Sequence, residues 1–311
     1  MILRWSLGDL PTVLAELGVE RPYLVASPRW TLDVPSIGRW SEVPSDRIEV
    51  PAKADALLAI GGGSAIDTAK RASADTGLPV VSVPTTYSGA EWTPTFGIRS
   101  PDRRMVGGGG GANLAGIVYD VDLTIELPRA ETVGTAMNAL AHCAEALYVR
   151  GRNDRGDERA LEGAALIARW LPDVVERPGD RGARSMLLHG AAAGGEALAL
   201  AGLGLAHAMA QALGGRYGLP HGAMNALSLP PALRFARDQA PDAVARFEDA
   251  TGGRDVEQLA GLGGFERLRD FGMPEADLPE VAAAAAGRAG NQAMPRPATP
   301  DEVEQLLRSI Y

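Results

Sequence analysis

The chain has 311 residues, room for two domains, and its 46% hydrophobic and 22% charged content excludes a wholly disordered protein. A formal net charge of −9 argues against a protein that neutralises nucleic-acid phosphates. The only cysteine, Cys143, excludes an intramolecular disulfide framework and fits a reducing compartment, so we expect a cytoplasmic protein. Arg4 and Asp9 interrupt the apolar N-terminal stretch, and Glu196 interrupts segment 190–206, so neither predicts a membrane span.

The first 128 residues alternate short apolar runs with helical segments. Four runs that end in turn-forming residues predict strands, at 23–27, 56–60, 80–83 and 117–119. Strands separated by helices are typical of βαβ units, so residues 1–128 are predicted to form a Rossmann-like domain with a mainly parallel sheet. Segment 30–51 lacks periodicity, and the glycine run 107–111 is interpreted as a flexible excursion rather than an element.

Residues 129–311 have a different pattern. Ala, Leu, Glu and Arg recur at helical spacing, which predicts an all-helical second domain and an α/β fold overall. Its prolines between 295 and 300 predict an extended linker before a final helix, with Thr299 as its N-cap.

A glycine-rich junction follows the second predicted strand and opens a helix, and it consists of Gly61, Gly62, Gly63 and Ser64. Glycines there let backbone amides approach an anion, and a helix N-terminus favours negative charge, so the junction resembles a phosphate cradle. The alternative is a tight turn without a ligand. Asp67 and Lys70 share a helix face three residues apart, either as a surface ion pair or as groups that line a site.

Hydroxyl side chains follow the third predicted strand, at Thr85, Thr86 and Ser88. Such groups at the carboxyl end of a strand suit ligand contacts in an open α/β sheet. The alternative is a capped turn, in which one of these hydroxyls caps a short helix that carries Glu91 in its first turn.

The helical half holds all four histidines, three of them in polar settings. Asn138, His142 and Glu145 share one helix face at i, i+4 and i+7. His207 lies one turn before Gln211, and His221 opens another helix. His189 has no comparable setting and is interpreted as structural. The placement of three of four histidines favours one shared site.

Together these segments resemble the iron-containing alcohol dehydrogenase (dehydroquinate synthase-like) superfamily. The resemblance rests on the glycine junction, Pro-Thr-Thr at 84–86, Asn-Ala-Leu-Ala-His at 138–142, and Pro-His-Gly-x-x-Asn-Ala at 220–226. It covers nearly the whole chain in the same motif order. Segments 84–94, 137–148, 268–274 and 295–299 are most similar to the maleylacetate reductase branch.

The resemblance implies a Rossmann-like domain, a helical domain that completes the active site, and NAD or NADP bound between them in a homodimer. The glycine junction would meet the pyrophosphate, and the hydroxyls after the third strand would lie along the cofactor. We assign cofactor binding to Gly61, Gly62, Gly63, Ser64, Asp67, Thr85, Thr86 and Ser88.

In metal-dependent members an aspartate and three histidines hold iron or zinc, and those positions correspond here to Asn138, His142, His207 and His221. The aspartate is missing, and losing the only anionic ligand should lower metal affinity substantially. Maleylacetate reductases resemble this chain in carrying asparagine there and working without metal. We therefore expect no metal, and a catalytic set in which the three histidines act as donors with Asn138 and Lys70.

Two departures from the family pattern leave alternatives open. The superfamily usually has a second histidine where this chain has Gln211, and segment 27–55 is shorter than expected. We predict a metal-independent NAD(P)H-dependent reductase that transfers hydride to an unsaturated oxo-carboxylate, an anionic substrate that needs a locally positive site. The alternatives are a metal-dependent alcohol dehydrogenase that tolerates Asn138, or a repurposed scaffold that catalyses a non-redox addition or cyclisation.

Overall fold

The computed structural model describes residues 1–311 and divides into two units. The N-terminal unit comprises Met1–Thr86 and Ala90–Glu126, and the helical unit comprises Tyr87–Gly89 and Leu127–Tyr311. The predicted division at residue 128 placed the short segment Tyr87–Gly89 with the sheet. The structure groups it with the helices, because the Tyr87 N–H donates to Thr135 Oγ1 at 3.2 Å and the Ser88 carbonyl accepts from Asn138.

A six-stranded parallel sheet forms the N-terminal unit, in the order β1-β8-β5-β4-β2-β3. Its strands are β1 (Ile2–Arg4), β2 (Pro22–Val25), β3 (Arg39–Trp40), β4 (Ala56–Gly61), β5 (Pro79–Pro84) and β8 (Asn113–Val118). The sheet is accompanied by the helices α1 (Leu10–Glu16) and α2 (Gly63–Thr76). This arrangement confirms the predicted mainly parallel sheet.

Both faces of the central strands are buried. In β4, Leu58 and Ile60 belong to one apolar cluster, and Leu57 and Ala59 belong to another. Because side chains alternate along a strand, this separation puts a core on each side of the sheet, as parallel sheets require. The carboxyl ends of β4 and β5 are thereby fixed next to each other, with Gly61 paired to Pro84.

The glycine run was predicted to be a flexible excursion, and the structure corrects this prediction. Strands β6 (Phe96–Arg99) and β7 (Met105–Gly109) form a two-stranded antiparallel sheet. A Cβ at Gly109 would lie 2.8 Å from Cζ of Phe96, so the glycine leaves room for the aromatic ring of the opposite strand. Pairing across the strands therefore orders residues that have no local structural preference.

The segment 27–55, which the sequence marks as short and aperiodic, holds only the two-residue strand β3 and no helix. Trp30 and Leu32 pack against the core beside β4. This part of the N-terminal unit is thus anchored by side-chain packing instead of by regular structure.

Ten helices form the helical unit, and this agrees with the predicted all-helical half. They are α3 (Arg129–Ala146), α4 (Asp154–Glu176), α5 (Arg181–Ala201), α6 (Leu205–Tyr217), α7 (His221–Arg237), α8 (Pro241–Ala250), α9 (Val256–Gly261), α10 (Leu278–Ala286), α11 (Ala289–Gln292) and α12 (Pro300–Ser309). Helix α3 is buried on nearly all sides and contacts α4, α5 and α7. It is the central helix of the unit.

Small residues let the helices approach α3 closely. Cys143 is fully buried, and a Cβ at Gly163 of α4 would lie 2.7 Å from its Sγ. A Cβ at Gly194 of α5 would lie 3.1 Å from the same sulfur atom. Larger side chains at either glycine would push the neighbouring helices apart.

Two local predictions can be compared directly with the structure. Thr299 accepts a hydrogen bond from the Glu302 N–H, and Glu302 accepts from the Thr299 N–H, so the predicted N-cap of the last helix is confirmed as a capping box. No single helix is long and apolar enough to span a membrane, although α5 and α6, bent by 101° at their junction, pass that test as a pair by length and composition.

Candidate functional site

The glycine junction lies where β4 meets α2. Gly61 has φ 150°, a conformation that side chains rarely adopt, and a Cβ there would lie 2.9 Å from Cβ of Ala65. A Cβ at Gly62 would lie 2.9 Å from Cγ2 of Thr86. The junction therefore leaves backbone open at the start of α2, where the Ala65 and Ile66 N–H groups donate to the Gly62 carbonyl and the N–H groups before them have no partner within the helix. This is the geometry of an anion cradle.

Buried polar atoms without partners surround the cradle in the N-terminal unit. They are Oγ1 of Thr85, Oγ1 of Thr86 and Nε1 of Trp30. Trp30 was not predicted, yet its Nε1 lies 4.0 Å from the Cβ position of Gly61. Because buried polar groups are normally hydrogen-bonded, these atoms are open to partners from outside the chain, either a ligand or ordered water. The predicted hydroxyl of Ser88 is likewise buried without a partner, in the helical unit.

Lys70 and Asp67 form the ion pair that their spacing allowed, and both bind backbone groups nearby. The buried Lys70 ammonium donates to the Ala90 carbonyl at 2.7 Å and the Thr95 carbonyl at 2.6 Å, and it pairs with Asp67 at 2.8 Å. Asp67 also accepts from the Gly97 N–H. The three N–H groups of Lys70 are thereby engaged within the N-terminal unit, and the pair holds segment 90–95 and β6 in place. The predicted catalytic role of Lys70 and the predicted cofactor role of Asp67 stay predictions.

A second buried network of hydrogen bonds connects Tyr119 with Glu91 and Trp92, in the segment between β5 and β6. The Tyr119 hydroxyl donates to Oε1 of Glu91 at 2.5 Å and accepts from Nε1 of Trp92 at 2.8 Å. Burial raises the pKa of Glu91, partly offset by the Tyr119 hydrogen bond and the charge of Lys70. The other carboxyl oxygen of Glu91 has no partner. Ionised Glu91 is therefore a source of instability in this unit.

Glu91→Gln is expected to stabilise the protein at neutral pH by ~1 kcal/mol. A raised folded-state pKa means that the carboxyl favours folding below its unfolded pKa, near 4.5, and that this benefit is lost as pH rises through the folded value. The amide keeps an acceptor for Tyr119 without the buried charge. Thermal unfolding from pH 4 to 8 should show a gain for Glu91→Gln at high pH that vanishes at low pH. A gain that is equal at all pH values would contradict this explanation.

The helical unit brings the predicted polar residues together. The rings of His142 and His207 stack with centroids 4.6 Å apart, and the rings of His207 and His221 are 6.0 Å apart. Asn138 lies among them, with Oδ1 3.3 Å from Nε2 of His207 and Nδ2 3.4 Å from Nε2 of His142. Helix α3 supplies two of these side chains, and α6 and α7 supply one each. The structure therefore brings the three predicted histidines into one cluster, and their shared catalytic function stays a prediction.

The orientation of the Asn138 amide is fixed by its neighbours. Its Nδ2 lies 2.8 Å from the Ser88 carbonyl oxygen, which can only accept, so the nitrogen must be on that side. Oδ1 then faces Nδ2 of Asn225 at 2.7 Å. Asn225 Nδ2 in turn lies 3.1 Å from Nε2 of His221. Two amide groups thus direct N–H groups at lone pairs of two histidines.

Asn225 belongs to the site, although sequence reasoning did not assign it. It lies one turn after His221 on α7, and its amide connects His221 to Asn138. The signal was available, because the i, i+4 spacing that connects Asn138 with His142 also connects His221 with Asn225.

Glu145 is also a site residue, and it acts on His207. Its side chain is fully buried; Oε1 accepts from the His207 backbone N–H at 3.1 Å, and Oε2 lies 2.7 Å from Nδ1 of the ring. A carboxylate at that distance requires a proton on Nδ1. On the other side of the ring, Nε2 of His207 lies 3.3 Å from Asn138 Oδ1, so both ring nitrogens have an oxygen neighbour.

His142 is in the opposite electrostatic situation. Burial, followed by the charges of His207 and His221, holds its pKa well below the usual value for histidine. The neutral ring accepts from Asn138 at Nε2, so its proton is on Nδ1, which has no partner. Gly89 leaves space beside this nitrogen, since a Cβ there would lie 3.4 Å from Nδ1. His142 therefore offers a buried neutral donor.

The donor set does not fit a divalent cation. Asn138 contributes no negative charge, its oxygen already accepts from Asn225, and lone pairs of His142 and His221 face amide N–H groups. The carboxylate of Glu145 is engaged by His207. No group of three or more His, Cys, Asp or Glu side chains is arranged to hold a metal ion.

The chain has an anion cradle after a parallel strand and a buried histidine cluster in a helical bundle. Comparison with known proteins shows that it is an NAD(P)-dependent oxidoreductase. The model of the Fe-containing alcohol dehydrogenase family, C-terminal, matches residues 132–311, and that of iron-containing alcohol dehydrogenase matches residues 49–112. The chain belongs to the iron-containing alcohol dehydrogenase family. Within this family, the chain belongs to the maleylacetate reductase branch, as its motifs predicted.

Maleylacetate reductase of Burkholderia cepacia is 34% identical over 290 residues, which cover 91% of this chain and 81% of that protein. The enzyme of the same name from Sphingobium indicum is 35% identical over 259 residues, 82% of this chain and 73% of that protein. The crystal structure of maleylacetate reductase from Rhizobium sp. superposes with a TM-score of 0.86 at 27% identity, covering 100% of this chain and 95% of that one. These similarities confirm the predicted fold.

Proposed function

We propose that this chain is a metal-independent, NAD(P)H-dependent reductase of the maleylacetate type, acting on the carbon–carbon double bond of an unsaturated oxo-dicarboxylate. The observation that carries the proposal is the amide network. Asn138 and Asn225 direct N–H groups at His142 and His221, so the lone pairs that would bind a cation are occupied by hydrogen-bond donors. The names of the relatives support the reaction, since they are maleylacetate reductases.

The open glycine junction and the unpartnered hydroxyls of Thr85 and Thr86 fit the cofactor. The first turn of α2 would bind its pyrophosphate, and the two hydroxyls would donate to its ribose or phosphate oxygens. When bound, NAD(P)H supplies the hydride. In the N-terminal unit, the protein would bind the nucleotide against the backbone of the glycine junction, where no side chain blocks its approach.

The histidine cluster would stabilise the charge that develops on the substrate. Hydride adds to the alkene carbon β to the oxo group, the electron pair moves to the oxo oxygen, and a proton on the α carbon restores the ketone. His142 can donate from Nδ1 to the oxo oxygen while that oxygen gains charge. The proton that completes the product at the α carbon comes from a histidine of the cluster or from water.

Metal analysis combined with activity tests the proposal. Purified protein should oxidise NADH or NADPH in the presence of maleylacetate, contain no stoichiometric iron or zinc, and keep its activity in a chelator. Stoichiometric metal that is lost together with activity would favour the metal-dependent alcohol dehydrogenase. Failure to bind either nucleotide below millimolar concentration would favour a repurposed, non-redox scaffold.

Gly62→Ala is expected to weaken nucleotide binding about tenfold or more while leaving the fold intact. Gly62 has φ −82°, which alanine tolerates, so the effect comes from a methyl group 2.9 Å from Thr86 Cγ2 at the opening of the cradle. Titration of NADH and NADPH by nicotinamide fluorescence measures the change. Gly107→Ala, with Ile98 at an ordinary 3.5 Å, is the matched control in the same unit and should bind normally. Equal affinities for both variants would remove the junction from the site.

A further inference from the structure

Arg288 is a charged side chain that has no role in the reaction proposed above. It is the N-cap of α11, it is half-buried, and it forms no ion pair. Its two hydrogen bonds, to the Gln211 carbonyl at 3.3 Å and to Gln211 Oε1 at 3.5 Å, are long. Its Nε is buried without a partner. The structure thus shields part of a guanidinium from water without a matching carboxylate.

That arrangement is costly unless something else compensates the charge. Desolvation lowers the pKa of Arg288, which is the mark of a cation in an unfavourable environment. Arg216, on the same helix as Gln211, shows the ordinary alternative, since it pairs with Glu280 and Asp277. A guanidinium that lacks such partners is suited to a planar anion from outside the chain.

The position of Arg288 connects it to the histidine cluster. Its partner Gln211 lies one helical turn after His207 on the same face of α6. A Cβ at Gly290 would collide with the carbonyl of Gly204, so α11 is fixed against the start of α6. Asn291, which bonds to the Ala286 carbonyl and to both the N–H and the carbonyl of Ala298, holds the segment further.

We propose that Arg288 binds a carboxylate of the substrate and thereby selects oxo-dicarboxylates over uncharged ketones and alcohols. The inference rests on the proposed function and adds to it the residue that sets substrate charge. Lys70 cannot serve, because its ammonium is engaged elsewhere. Gln211 is a neutral neighbour whose oxygen orients the guanidinium without cancelling its charge.

The test combines an enzyme variant with a substrate variant. Arg288→Gln should raise KM for maleylacetate 10- to 100-fold, the value of a charge-assisted hydrogen bond, with kcat within about threefold of wild type. One of the two monomethyl esters should show a similar rise with the wild-type enzyme. With that ester, Arg288→Gln should cost almost nothing more, because either change removes the same contact. Arg288→Lys should recover part of the loss.

Controls separate this contact from general charge and folding effects. Arg216→Gln removes the same charge from an existing ion pair and should leave KM unchanged. Arg288→Gln should unfold at the wild-type temperature or above it, because it removes an unpaired cation, and its NADH affinity should equal that of wild type. If Arg288→Gln does not fold, Arg288→Lys and Arg288→Met replace it. A KM within twofold of wild type, or additive losses with both esters, overturns the proposal.

Binding of 3-oxoadipate, the saturated product that reduction of maleylacetate gives, makes the outcome independent of turnover. Calorimetry with the NAD(P)-loaded protein should show a dissociation constant that rises at least tenfold in Arg288→Gln. If the wild-type protein turns over maleylacetate and Arg288→Gln does not weaken 3-oxoadipate binding, the role of Arg288 is refuted and the reductase activity stands. If the protein binds 3-oxoadipate through Arg288 but oxidises neither NADH nor NADPH, the carboxylate contact is supported and the reductase activity is refuted. If wild-type protein does not bind 3-oxoadipate, the proposed contact between Arg288 and a substrate carboxylate is refuted.

Discussion

Replacing Glu145 by glutamine is expected to lower kcat about 10²- to 10⁴-fold, the range seen when a carboxylate that orients a catalytic imidazole becomes an amide. The His207 backbone N–H can only donate, so the amide oxygen must stay on that side. The amide N–H₂ group then faces Nδ1 of the ring. His207 would have to accept there, and its proton would move from Nδ1 to Nε2.

Steady-state kinetics and ¹⁵N chemical shifts of the histidine rings measure this effect. The shifts should report a proton transfer from Nδ1 to Nε2 of His207, and affinity for NADH should stay unchanged, because Glu145 is fully buried and both its oxygens bond to His207. Glu145→Asp keeps the charge with a shorter reach and should recover part of kcat. A Glu145→Gln protein with wild-type kcat would show that the tautomer of His207 does not matter for the reaction.

Gly222→Ala is expected to destabilise the helical unit by about 3 kcal/mol and to reduce activity strongly. Helices α3 and α7 cross at Gly134 and Gly222, where a Cβ at Gly222 would lie 2.5 Å from the Gly134 carbonyl carbon and 2.7 Å from its oxygen. Backbone atoms inside a helix cannot move aside as side chains can. The two helices must separate, and His221, adjacent in the chain, moves with α7.

Urea unfolding followed by circular dichroism measures the loss, and Gly261→Ala is its control. Gly261 ends α9 in the same unit, has no atom within 4 Å of its Cβ position, and has no positive φ. That variant should be neutral or slightly more stable, since alanine favours a helix over glycine. Equal stability of the two variants would mean that the crossing of α3 and α7 tolerates wider spacing than its geometry implies.

The sequence revealed those parts of the site that depend on spacing along one helix or one strand end. Asn138 and His142 share a helix face, and the glycine junction follows its strand, so local periodicity was enough to single them out. Grouping His207 and His221 with them rested on histidine scarcity and on family resemblance. The same local rules would have found Asn225, had they been applied to α7.

The remaining parts depend on contacts between residues far apart in the chain. Arg288 meets Gln211 across 77 residues, and no local pattern connects them. Lys70 attracted attention because lysine is rare here, but its carbonyl partners lie 20 and 25 residues away, and composition gives no information about them. The glycine run forms a strand because Phe96–Arg99 pairs with it. Tertiary contact overrides local preference in each case.

The only thiol of the chain, that of Cys143, provides an internal probe of core opening. Burial raises the pKa of the Cys143 thiol, and helices α4 and α5 cover it through Gly163 and Gly194. Thiol reagents should therefore react only when these helices separate from α3, the helix that carries Asn138 and His142. The rate of labelling would then report how often the folded molecule exposes the interior next to its histidines, with no engineered probe.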